Sequence, residues 1–67
     1  MTDRELINFH VDTVAQYKVL KHIIAEFLPE GIASLDLIGD GLRLTDRTGD
    51  TADFIYNAET ASVNIKD

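Results

Sequence analysis

Two histidines, a group of turn aspartates and a small basic cluster are the side chains through which this 67-residue chain could act chemically. His22 and Glu26 stand four apart, within reach of each other on a helix. They offer two metal ligands, whereas a zinc site needs three or four. His10 stands apart at the edge of an apolar stripe, and the chain has no cysteine to join either histidine. Asp46, Asp50 and Asp53 supply carboxylates of the kind calcium takes. Their spacing departs from the alternating ligands of an EF-hand loop, and no glutamate closes it. Ser34 and Ser62 are the only serines. Neither sits in a sharp strand-to-helix elbow, and neither has a histidine close in sequence. Gly39, Gly41 and Gly49 fall in hairpin turns rather than before a helix, so they form no phosphate cradle. The residues therefore point to a non-enzymatic protein with no cofactor and no metal. A small-ligand or metal site around His10 or His22 at a dimer interface is the reading that would keep the histidines functional.

Charge narrows the partners. Twelve acidic and six basic side chains leave a net charge of −6. Such a surface repels phosphate backbones, which argues against direct nucleic-acid binding. Lys18, Lys21 and His22 make a basic spot on the helix, but no aromatic residues interleave with them as in a nucleic-acid platform. Asp36, Asp40, Asp46, Asp50 and Asp53 are a candidate acidic contact face. They carry the alternative function: an acidic inhibitor that occupies the nucleic-acid-binding groove of a target protein. Most of these aspartates also fall at turns, where their side chains bond nearby backbone amides.

Those side chains need elements to hold them. The apolar fraction of 45% suits a folded chain. No apolar run exceeds three residues, so no membrane span is expected. The first residues are acidic and lack the apolar region of a signal peptide, so a cytoplasmic location is expected. Thr2-Asp3-Arg4-Glu5 has the form of a capping box. From there, Leu6, Phe9, Thr13, Tyr17, Leu20, Ile24 and Phe27 share one face at the helical period, widened by Ile23 and Leu28. The spacing predicts one long amphipathic helix over 3–28, stopped by Pro29 and Gly31.

Beyond Pro29 the apolar period becomes two. Strands are predicted over 34–38, 41–46, 51–57 and 61–66, joined by turns at Gly39-Asp40-Gly41, Asp46–Asp50 and Asn57–Thr60. The expected fold is α+β: a single domain, 1–67, with the N-terminal helix packed on one face of a four-stranded antiparallel β-meander.

Five aliphatic residues do not fit that scheme. Ile7, Val11 and Val19 fall on the back of the predicted helix. Ile38 and Ile55 fall on the sheet face opposite it. Misplaced aliphatics that share a face suggest a contact surface. A 67-residue chain without disulfides has a small core, and self-association is a common remedy. The leading expectation is a small acidic protein–protein interaction module that binds a second copy of itself or another protein, with those five residues as the interface.

Overall fold

The structure, a computed structural model, describes residues 1–66. In chain order it contains α1 (Asp3–Ile7), α2 (Val14–Glu26), a short 3-10 turn (Pro29–Gly31), β1 (Ile32–Ile38), β2 (Gly41–Asp46), β3 (Thr51–Asn57) and β4 (Ser62–Lys66). The strands form one antiparallel sheet in the order β1-β2-β3-β4. Among the described residues, no helix is long and apolar enough to cross a membrane.

The single helix expected over 3–28 is instead two helices with a break between Asn8 and Thr13. The first begins as anticipated. Thr2 Oγ1 accepts from the Glu5 amide at 3.1 Å, and Glu5 Oε1 accepts from the Thr2 amide at 2.9 Å. It ends at Asn8, outside helical geometry. The second begins at Thr13, whose backbone is extended (φ −132°, ψ 160°) and whose Oγ1 accepts from the Gln16 amide at 3.0 Å. Thr13-Val14-Ala15-Gln16 is thus a second capping box. Thr13 bonds locally to backbone rather than extend a helix, and the Asp12 and Thr13 amides donate to Gln16 Oε1. A fresh start at Thr13 satisfies amides that a continuous helix would have used elsewhere. At the far end, Phe27 and Leu28 leave the helical region before Pro29.

The break resets the phase of α2. Gln16, Val19, Leu20 and Ile23 are its buried residues, the i, i+3, i+4, i+7 spacing of one helical stripe. Val19, expected on the outer side, is fully buried. Tyr17 and Ile24, expected inside, lie at the rim and are 52% and 37% exposed. Phe9 and Val11, in the break, are partly buried against the core.

The sheet follows the predicted alternation. Leu35 pairs with Leu44, Leu37 with Leu42, and Leu42 in turn with Phe54. These side chains share the face under α2, which packs chiefly on β2 and β3 and less on β4. β1 begins earlier than expected, at Ile32, because a bulge between Ile32 and Ser34 lets both Ile32 and Leu35 face the core. One hydrophobic cluster results, built from Leu6, Val19, Leu20, Ile23, Ile32, Leu35, Leu42, Leu44 and Phe54. Each large aliphatic side chain buried there contributes roughly 1.5–3 kcal/mol of transfer free energy.

Candidate functional site

Helix α2 covers one face of the sheet and leaves the other open. The residues on that open face are set by period two and by register. On β2, Arg43 lies between Leu42 and Leu44 and therefore points away from the core. Asp53 is its direct partner on β3. The pair is bidentate, with Nε donating to Oδ1 at 2.8 Å and Nη2 donating to Oδ2 at 3.2 Å. This bond raises the Arg43 pKa and lowers that of Asp53. On its other side Arg43 pairs with Asp36 of β1, while Asp53 pairs with Lys66 of β4. One row of alternating charge, Asp36–Arg43–Asp53–Lys66, thus crosses all four strands.

The neighbouring row is Ile38–Gly41–Ile55–Asn64. Ile38 and Ile55, both half-buried, flank Gly41. A Cβ added to Gly41 would lie 1.8 Å from the Phe54 carbonyl oxygen. No other residue fits without moving backbone, so the centre of this row carries no side chain. The two isoleucines are the apolar part of an otherwise polar face.

The remaining candidate residues are dispersed. Ile7 is 67% exposed on α1, remote in the chain from the sheet isoleucines. Val11 and Val19 belong to the core side. The five aspartates considered as an acidic face occupy three separate places. Asp40 lies in the β1–β2 turn, Asp46 and Asp50 bracket the β2–β3 turn at the opposite end of β2, and Asp36 and Asp53 sit in the charge row. Asp46 is engaged in turn chemistry. Its Oδ1 accepts from the Thr48 amide at 2.8 Å, the Thr48 hydroxyl at 2.6 Å and the Asp50 amide at 3.1 Å. Those bonds, the hydroxyl's first, lower its pKa.

The histidines are also apart. His10 Nε2 lies 3.4 Å from Asp12 Oδ1, with both side chains exposed. His22 tilts against Phe54, with ring centroids 6.2 Å apart. Among the described residues, no group of three His, Cys, Asp or Glu side chains converges. Lys18 places its ammonium 5.4 Å from the centre of the Tyr56 ring, a cation–π contact at the edge of an open groove that Lys21 and His22 also line.

No protein-family model, curated protein or solved structure matches this chain.

Three features of the site were not picked out from sequence: the Gln16 side chain, the closeness of Gly41 to β3, and the charge row. The first had a readable signal in the Thr13-x-x-Gln16 spacing. The row becomes readable only when the four predicted strands are written side by side in register.

Proposed function

We propose that this protein is a small, acidic, non-enzymatic interaction module that self-associates through the open face of its sheet. The observation that carries the reading is the pair Ile38 and Ile55, aliphatic side chains flanking Gly41 on a face that no helix covers. A β-branched aliphatic pair amid charged and small polar residues suits a contact that is partly apolar and partly ionic. The grooves on this face are open and shallow and lined by Arg43, Asp53 and Lys66, which suits a broad surface contact better than an engulfed small molecule.

Light scattering on the wild-type protein and on Ile38→Lys and Ile55→Lys tests the proposal. At about 1 mM the wild type is expected well above the mass of one chain, and each variant at the mass of one with its melting temperature preserved. A wild type that stays at one chain mass at about 1 mM, where even weak dimers form, rejects self-association. Variants that dimerise like the wild type place the contact elsewhere.

A further inference from the structure

The charge row has a symmetry that names its own partner. From β1 to β4 the signs run minus, plus, minus, plus, at Asp36, Arg43, Asp53 and Lys66. Reversed, the row is its own complement. A two-fold axis parallel to the strands, lying in front of the open face between β2 and β3, performs that reversal. It sets Asp36 opposite Lys66 of the second copy and Arg43 opposite Asp53 of the second copy, so all four positions meet their opposites. The other two-fold in that plane runs across the strands and sets each charge against its own like, which is repulsive. We infer that two copies pack sheet to sheet about the axis parallel to the strands, with the Arg43 and Asp53 pairs of both chains merging into one four-membered ionic cluster at the centre.

The adjacent row supports the same axis. The operation sets Ile55 opposite Gly41 of the second copy, where no side chain stands in its way, and brings the two Ile55 side chains together near the axis. Closed two-fold symmetry uses one self-complementary patch on both copies. Aligned sheets pack about 10 Å apart with strands crossing at about 30°, so the central residues Arg43, Asp53 and Ile55 stay in best register while the edges drift. The row itself has zero net charge and matches its own reverse at every position, a short-range fit that acts against the long-range repulsion of two chains of net charge −6.

The face is small. Four strands of five to seven residues at a spacing of about 4.8 Å cover roughly 400 Å² per copy. That lies at the low end for specific contacts, so the dimer is a weak one, to be read at hundreds of micromolar.

This inference rests on the self-association proposed above, and the experiment separates the two. Arg43→Glu turns the row into minus, minus, minus, plus, and Asp53→Arg turns it into minus, plus, plus, plus. Each variant alone faces like charges across the axis at two central positions. A mixture of the two is complementary at all four. Sedimentation equilibrium is expected to show dimer affinity reduced at least about tenfold for each variant alone and restored in the equimolar mixture. The pair Lys66→Glu and Asp36→Lys obeys the same rule and leaves the Arg43–Asp53 bond intact, so it serves if a central variant fails to fold. A wild type that dimerises with both variants unaffected overturns the axis and leaves self-association standing, as a ladder acting only within one chain would. Two monomeric variants whose mixture stays monomeric also overturn the axis. A monomeric wild type removes both proposals.

Discussion

Gln16 and Gly39, 23 residues apart in the chain, are joined by a bond that locks α2 to the β1–β2 turn. Gln16 Nε2 donates to the Gly39 carbonyl at 3.0 Å. The Oε1 of the same side chain accepts from the Asp12 amide at 2.9 Å and the Thr13 amide at 3.2 Å. Gln16 is only 5% exposed, and it is the one buried polar residue of the described chain. A single amide thus caps a helix, orders the loop before it and fixes the helix against a hairpin. It is buried at little cost because both ends of the amide are satisfied.

Gln16→Glu keeps the acceptors and loses the donor. A carboxylate would then face the Gly39 carbonyl oxygen in a site closed to water. Urea denaturation is expected to show a loss of about 2–3 kcal/mol, with Gln16→Ala costing a similar amount through three lost bonds. A change under about 0.5 kcal/mol in both variants would mean that the bond does not hold the turn.

The rotated phase of α2 is tested by two residues that sequence spacing alone placed together on the outer side. Val19 is fully buried, whereas Ile7 is 67% exposed. Val19→Ala is expected to cost about 2 kcal/mol, through lost transfer energy and a residual cavity. Ile7→Lys is expected to stay within about 0.5 kcal/mol of wild type. Equal costs from the two substitutions would contradict the helix break and the phase it sets.

Ala61, just before β4, has φ +53°, the left-handed region that an L side chain occupies at a cost. Ala61→Gly is expected to stabilise the fold by about 0.5–1 kcal/mol, since relief of the Cβ contact outweighs the extra freedom glycine gains when unfolded. Ala61→Val should destabilise it by about as much or more. Melting temperatures that move in the opposite order would show the turn is not strained.

Acid should weaken the fold through three carboxylates. Hydrogen bonds from Thr2 lower the pKa of Glu5, those from Thr48 and the Asp50 amide lower that of Asp46, and Arg43 lowers that of Asp53. A carboxyl whose folded pKa lies below its unfolded value adds stability that is fully present above the unfolded pKa. That stability is lost as pH falls through the folded pKa. The melting temperature is therefore expected to hold from neutral pH to about pH 5 and to fall below about pH 4. Asp46→Asn and Asp53→Asn should each flatten that fall. An unchanged acid limb in both variants would assign it to other groups.

Local chemistry was legible wherever neighbours in the chain decide the structure. β2 and β3 span the residues that alternation assigns to them, because period two and the turn chemistry of Gly39-Asp40-Gly41 and Asp46–Asp50 act over a few residues. The Thr2 capping box is likewise local. The helix break was also written locally, in Thr13 and Gln16, but apolar residues happen to continue at helical spacing across it. Spacing alone cannot tell one helix from two whose phases differ.

The tertiary structure decided the rest. Which stripe of α2 turns inward depends on the fit of Val19, Leu20 and Ile23 to the surface that Leu42, Leu44 and Phe54 present, and so needs the sheet as well as the helix. Ile32 joins the core only through a bulge, which requires β2 as a partner. The Asp36–Arg43–Asp53–Lys66 row has no meaning as a string of positions, since its members are separated by seven, ten and thirteen residues. Sequence by itself determined β2, β3, the turns beside them and the alternation of side chains along them. The register of the strands turned four distant charges into one alternating line, because residue-by-residue pairing between strands is a long-range choice that no local preference encodes.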